Sequence, residues 1–215
     1  MTLGSGNPTP AKNPTSVSMS AAPSAVSRYS PVAIWLHWII GALVLFAGIF
    51  GLLLDDWPKA TRMFWINVHV QAGLLILVLL IARIWWRRTH LPPPLPPEVD
   101  ELSRRVSNPA HLLIYALMLV TPWVGIVALV WHGRVFDFGF FTIDFGVKAN
   151  KPVYERAEDI HLWLTYGLFA LVAGHAVAAL WHHFIRRDTV LLRMLPPRLS
   201  APQATADDLV QAKSS

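Results

Sequence analysis

Seven of the nine histidines lie within long apolar stretches of the chain, where an ionisable side chain is costly and usually functional, and four of them are placed so that they could act together. His161 and His175 share one stretch and are 14 residues apart. At about 3.6 residues per turn and 1.5 Å per residue, both imidazoles project from one helical face, roughly 21 Å apart along the axis. His37 and His69 each lie near the start of another stretch. Imidazoles bind transition metals and carry protons, so the pattern indicates metal, redox or proton-transfer chemistry.

The composition is that of an integral membrane protein with a single domain. The 215 residues are 54% hydrophobic and 14% charged, whereas soluble domains carry about 25% charged residues. A transmembrane helix needs about 20 apolar residues. We therefore predict an all-α fold, a four-helix membrane bundle over residues 31–187. Its predicted spans are residues 32–54, 66–86, 111–131 and 160–185. The absence of cysteine excludes disulfides, cysteinyl iron–sulfur clusters and covalently attached haem.

The flanking segments predict the orientation. Residues 1–30 are rich in Ser, Pro, Ala and Thr and are predicted to be a disordered cytoplasmic tail, with residues 188–215 as a second tail. Eleven of the 18 Lys and Arg residues lie in the tails and the middle loop, against six in the other two loops. The positive-inside rule then puts both termini in the cytoplasm, and nucleic-acid binding is not expected.

The aromatic loop 132–159 could form a short strand or lie on the membrane interface. His182 and His183 are predicted at the membrane boundary.

This topology pairs the four histidines by depth. His69 and His161 fall at the outer level, and His37 and His175 at the inner level. A structural zinc site needs four ligands at one point, but a porphyrin supplies four nitrogens and leaves two axial positions. The spacing therefore predicts two b-type haems, one at each level. A single intramembrane histidine is more often a core or proton-relay residue, but two matched pairs favour haem ligation.

Two further residues are candidates at the inner level. Arg83 could pair with a haem propionate, since guanidinium binds carboxylate well, or it could snorkel to the interface. His111 has no predicted partner at its depth, and it could donate a structural hydrogen bond or line a quinone or proton site. Gly41 and Gly48 share the helical face of His37 and would allow close approach of a macrocycle or of another helix.

Five segments resemble the bacterial cytochrome b561 family, over about residues 29–198. They are RYSPVAIWLHWII, INVHVQAGLLILVLLIARI, HLLIYALMLVTPWVGI, VAGHAVAALWHHF and DTVLLRML. The resemblance implies a four-helix bundle in the bacterial inner membrane with two non-covalent haems b. It also implies His37, His69, His161 and His175 as the axial ligands. The compact form of the family, superoxide oxidase, is the most similar.

The resemblance implies electron transfer from periplasmic superoxide to ubiquinone, although it identifies no catalytic residue. Cations in the outer loops would attract superoxide; they are Lys59, Arg62, Arg134, Lys148, Lys151 and Arg156. Quinone would bind near Arg83 and His111. The alternative is a cytochrome b subunit that links a periplasmic dehydrogenase or hydrogenase to the quinone pool. A proton-relay transporter is disfavoured, because no predicted span contains Asp or Glu.

Overall fold

The chain folds into four long helices joined by short connections. The computed structural model describes residues 28–94 and 99–196. The helices are α1 Pro31–Leu52, α2 Lys59–Thr89, α3 Glu101–Trp131 and α4 Lys151–Trp181. We call the end where α1 begins and α4 ends the inner end, and the opposite end the outer end, after the predicted orientation. Of the predicted disordered tail, residues 1–30, residues 1–27 lie outside the described residues, as do residues 197–215 of the second tail.

All four helices are long and apolar enough to cross a membrane, with mean hydropathies between 1.6 and 2.3 over their most apolar windows. Large apolar side chains cover their outward faces; Trp163 and Val177, for example, are 73% and 65% exposed. Helices satisfy their own backbone hydrogen bonds, which makes them suitable for spanning lipid. The fold is therefore the predicted all-α membrane bundle.

Three helices begin well before their apolar segments, and the first of them is α2, which begins at Lys59 although its predicted span was 66–86. α3 begins at Glu101 because Asp100 caps it, accepting the Ser103 N–H at 3.2 Å. α4 begins at Lys151, and Lys151 forms an i,i+4 ion pair with Glu155 at 3.4 Å. The predicted spans 66–86, 111–131 and 160–185 mark the apolar parts only, so the assignment of the preceding turns to loops was wrong.

Neighbouring helices in sequence pack side by side, α1 on α2, α2 on α3 and α3 on α4. Leu80 of α2 is fully buried at the centre of the apolar core. The other buried members of this core come from α1, α2, α3 and α4 and are Ile40, Val44, Ala47, Ala72, Ile76, Ile114, Met118 and Leu168. Leu168 is the α4 member, and α4 packs mainly on α3. The contacts of α4 with α1 and α2 include those made by the histidines described below.

A small hairpin lies at the outer end between α3 and α4. Its strands are β1 Phe136–Asp137 and β2 Thr142–Ile143, paired antiparallel. Gln71 of α2 donates from Nε2 to the Asp137 carbonyl at 2.9 Å. Of the two possibilities that the sequence left open for this loop, a short strand pair is present.

The inner end is tied together by charged side chains. Arg186 donates to Asp100 at 2.7 Å and joins the end of α4 to the start of α3. This guanidinium, with the Ser103 hydrogen bonds, holds the pKa of Asp100 below its usual value. His182 is buried and its Nδ1 contacts the Asp188 carboxylate. His182 is thus buried at the inner end of α4, where Asp188 compensates its burial, and its place at the membrane boundary stays a prediction.

Candidate functional site

The structure brings the four histidines together in the two predicted pairs. The ring centroids of His69 and His161, the outer pair, are 6.0 Å apart, with an interplanar angle of 83°. Those of His37 and His175, the inner pair, are also 6.0 Å apart, at 78°. α4 contributes one histidine to each pair, and its partners come from α2 and α1. The depth matching read from the sequence is thus present in the fold.

Backbone carbonyls orient both rings of the outer pair. The Nδ1–H of His69 donates to the Ala47 carbonyl at 3.0 Å, and that of His161 donates to the Thr121 carbonyl at 2.9 Å. These bonds fix the tautomer that leaves each Nε2 unprotonated and able to bind a metal. A backbone carbonyl on the second ring nitrogen is a common support of histidine metal ligands.

Two glycines make room for the rings of the outer pair. A Cβ at Gly51 of α1 would lie 2.7 Å from Cε1 of His69. A Cβ at Gly125 of α3 would lie 3.0 Å from Cε1 of His161. Each imidazole therefore packs directly on a neighbouring helix backbone. Sequence reasoning missed both residues, although Gly125 lies within the TPWVGI segment that carries the family resemblance.

The two glycines singled out from the sequence differ in their surroundings. A Cβ at Gly48 would lie 2.2 Å from Cζ of Phe169, so Gly48 allows close packing of α1 and α4. A Cβ at Gly41, one turn after His37, would meet no atom within 4 Å. Close helix packing thus explains Gly48, and open space remains beside Gly41.

A cavity of about 490 Å³ lies at the outer pair. Cofactor and ligand pockets commonly measure about 300–1,000 Å³ and have apolar walls with few polar groups. Apolar side chains form most of the wall, among them Val44, Ile76, Met118, Leu129, Leu168 and Phe169. Polar side chains lie towards the outer end and are Asp55, Arg62, His132, Arg134 and Glu158. The cavity combines an apolar interior, two imidazoles and a charged rim.

These residues fit a haem. A metal–imidazole bond is about 2.0–2.1 Å and the ring centroid lies about 1.1 Å behind the nitrogen, so two rings that held one metal between them would have centroids about 6 Å apart. Both pairs have this separation. Among the described residues, two buried side-chain polar atoms lack a hydrogen-bond partner, and both belong to residues of the cavity wall. They are Nε of Arg62 and Oγ1 of Thr121.

A third histidine stands beside the inner pair. The ring of His111 lies 5.1 Å from that of His175, centroid to centroid. Its Nδ1–H donates to the Ser107 carbonyl at 2.6 Å, and this bond leaves the second ring nitrogen unused. The expectation that His111 has no neighbour at its depth was therefore wrong, because α3 crosses close to α4 at this level.

Arg83 is buried at the inner end and does not snorkel. It is 9% exposed, and it donates to the Ala33 carbonyl at 2.8 Å and the Tyr115 hydroxyl at 3.2 Å. It lies within electrostatic range of His37, His111 and His175. A cavity of about 20 Å³ adjoins it, which is room for about one water.

Comparisons with known proteins identify relatives of the whole helical bundle. The family model described as prokaryotic cytochrome b561 matches residues 28–197. The chain is 31% identical to cytochrome b561 homolog 1 of Escherichia coli, over 80% of this chain and 99% of that protein. It is 28% identical to a probable superoxide oxidase of Yersinia pestis, over 80% and 97%. It is 30% identical to cytochrome b562 of Cereibacter sphaeroides, over 79% and 96%.

The match covers all four helices and both histidine pairs. Haem b is the cofactor that the family implies, and electron transfer in a membrane is its function. The donor set of paired intramembrane imidazoles, oriented through Nδ1 at the outer level, suits that cofactor. The chain belongs to the prokaryotic cytochrome b561 family of membrane electron-transfer proteins.

Proposed function

We propose that each histidine pair supplies the two axial ligands of one haem b. The outer pair, His69 and His161, would hold one haem, and the inner pair, His37 and His175, the other. Support comes from the equal 6.0 Å ring separations and from the carbonyl bonds that leave Nε2 of the outer pair available. When bound, each haem would supply a one-electron couple with both axial positions filled by protein.

We propose that the chain oxidises superoxide at the outer end and reduces ubiquinone at the inner end. The overall reaction is two superoxide anions plus ubiquinone plus two protons giving two dioxygen molecules plus ubiquinol. Each superoxide is oxidised by one electron, and the quinone takes two. This orientation corresponds to a bacterial inner membrane with both termini in the cytoplasm.

The observation that carries this proposal is the charged rim of the outer cavity. Arg62 and Arg134 lie at the outer end of the cavity in which His69 and His161 meet. Cations around a concave, low-dielectric site concentrate field lines and speed the arrival of small anions. Asp55 and Glu158 line the same cavity and reduce this attraction, so it depends on local placement rather than on net charge.

The name of the Yersinia pestis relative supports superoxide as the electron donor. At the inner end, Arg83 and His111 are the proposed neighbours of the quinone. Arg83 donates to Tyr115 and Ala33 from Nε and Nη1, and neither bond uses Nη2. The bond of His111 to Ser107 uses Nδ1 and leaves Nε2. A guanidinium can donate hydrogen bonds to quinone oxygens, and the unprotonated ring nitrogen of His111 can accept one from a quinol hydroxyl.

The test is a superoxide pulse applied to purified protein in nanodiscs that contain ubiquinone. We expect the haem absorption bands to change to those of the reduced form during the pulse. One ubiquinol should form for every two superoxide anions. Replacing His161 by Ala, matched with the exposed control Trp163→Ala, should abolish both signals in the His161 variant only. Haems that dithionite reduces but superoxide does not would overturn the proposal.

The aromatic hairpin favours a second candidate function. Phe140 is 85% exposed and Phe145 55% exposed at the outer end, and exposed aromatic clusters often mark protein contacts. The chain would then be the cytochrome b subunit of a periplasmic dehydrogenase or hydrogenase. Co-purification of a stoichiometric redox partner, lost when Phe140 is replaced by Ser, would favour this function over superoxide oxidation.

A further inference from the structure

Arg134 is held in place by the cap that ends α3. Gly133 has φ of 72°, in the left-handed region that favours glycine. The Gly133 N–H donates to the Val130 carbonyl at 3.0 Å, and the Arg134 N–H donates to the Leu129 carbonyl at 3.3 Å. This pattern turns the chain back over the helix end. The backbone of Arg134 is therefore fixed beside the outer cavity rather than carried on a loose loop.

The side chain of Arg134 is available for a ligand. It is half-buried and lines the outer cavity together with both histidines of the outer pair. Among the described residues, its guanidinium forms no hydrogen bond and no ion pair within 4 Å. Arg62, on the same rim, differs because it donates to the carbonyls of Asp55 and Trp57 at 2.6 and 3.2 Å.

The positive charge of Arg134 is partly compensated by a nearby carboxylate. Glu158, one turn before His161 on α4, lines the same cavity and lies within electrostatic range of Arg134. A half-buried guanidinium that has a carboxylate nearby but no hydrogen bond to it can still bind an anion through its planar N–H edge. A carboxylate that bound to Arg134 in this cavity would lie close to the two imidazoles of the outer pair.

We propose that Arg134 binds a propionate carboxylate of the haem held by the outer pair. Haem b is a flat apolar macrocycle with two carboxylates on one edge, and the cavity offers apolar walls with cations on its outer side only. A guanidinium–carboxylate pair is charge-assisted and can be bidentate. This inference rests on the proposed assignment of a haem to His69 and His161.

The pair would tune the redox potential of that haem. A positive charge near the macrocycle stabilises the reduced, more negative state and therefore raises the midpoint potential. Glu158 acts in the opposite direction, so the two side chains set the potential together. A higher potential favours acceptance of an electron from an anionic donor at the outer end.

The test is a redox titration of Arg134→Gln, with Arg156→Gln as the matched control. Arg156 is exposed near the outer end of α4, does not line the cavity, and loses the same charge. We expect the midpoint potential of one haem to fall in Arg134→Gln and both potentials to stay at wild-type values in Arg156→Gln. The affected haem should be the one that His161→Ala removes. Arg134→Lys, which keeps the charge but not the fork, should restore part of the shift.

Gly133→Ala is a second variant that leaves the guanidinium in the chain. Its strained backbone should displace Arg134 and lower the same potential without a change of charge. Equal potentials in the wild type, Arg134→Gln and Arg156→Gln, with two haems bound, would overturn the role of Arg134 and leave the proposed haem sites intact. A wild-type protein with no haem at the outer pair would instead overturn the proposed function itself.

Discussion

Replacing Gly51 by Ala should weaken the outer haem site while leaving the inner one intact. Gly51 is at the end of α1, and its missing side chain leaves room for the His69 ring. A Cβ there would lie 2.7 Å from Cε1 and 3.1 Å from Nδ1 of His69. Ordinary contacts of this kind are 3.4–4 Å long. The ring would have to move by about 0.7 Å, which also strains its 3.0 Å bond to the Ala47 carbonyl.

The magnitude follows from this displacement. Metal–ligand distances tolerate only about 0.2 Å, so the ring cannot keep its position against both the new methyl group and an iron. Overpacking of this kind costs about 1–3 kcal/mol. Because each 1.4 kcal/mol changes an affinity about tenfold, haem affinity at the outer pair should fall about 5- to 150-fold. Gly125→Ala, with its closest approach to His161 at 3.0 Å, should have a smaller effect.

The assay is haem content per chain together with the absorption spectrum and a redox titration. The matched control is Gly167→Ala on α4, where the new Cβ would meet only Leu117 Cδ1, at an ordinary 3.8 Å. We expect two haems in the control and loss or perturbation of one haem in Gly51→Ala. Wild-type haem content, spectrum and potentials in Gly51→Ala would refute the argument that Gly51 positions the His69 ring.

Three further predictions concern stability. Asp100 has a lowered pKa because Arg186 donates to it, so the stabilisation is complete above the ordinary carboxyl pKa of about 4 and is lost progressively as pH falls from there through the lowered pKa; Asp100→Asn should lower the Tm most at pH 7 and by progressively less below pH 4, and an equal loss across this range would contradict this. Asp188→Ala should cost about 1–3 kcal/mol by leaving buried His182 unpaired, and an unchanged Tm would argue against their pairing. Leu80→Ala, at a fully buried site, should cost about 2–5 kcal/mol in thermal unfolding; a loss below 1 kcal/mol would contradict the packing described.

Periodicity and charge were enough to predict the four apolar spans and the histidine pairs. The 14-residue spacing of His161 and His175 fixed a common helical face, and alternating topology then left one partner at each depth. The inner partner of His175 was only half predicted, because His111 also approaches it. That contact depends on the close packing of α3 and α4, which no periodicity in one helix reveals.

Contacts between distant segments could not be predicted for the same reason. Gly51 contacts His69, and Gly125 contacts His161, only once three helices are packed. The pairing of His182 with Asp188 could not be predicted, because Asp188 lies beyond the apolar stretch and a turn with Arg187 at φ 55° is needed to bring them together. The early start of α3 depends on the Asp100 cap rather than on hydropathy.

Haem quantitation on the wild type, His161→Ala and His175→Ala tests the central proposal most directly. The two-pair arrangement predicts two haems b per chain in the wild type. It predicts one haem in each variant, with different spectra and midpoint potentials, because each variant removes one ligand of one pair. A single haem in the wild type, or two haems retained in either variant, would contradict the assignment of the two pairs.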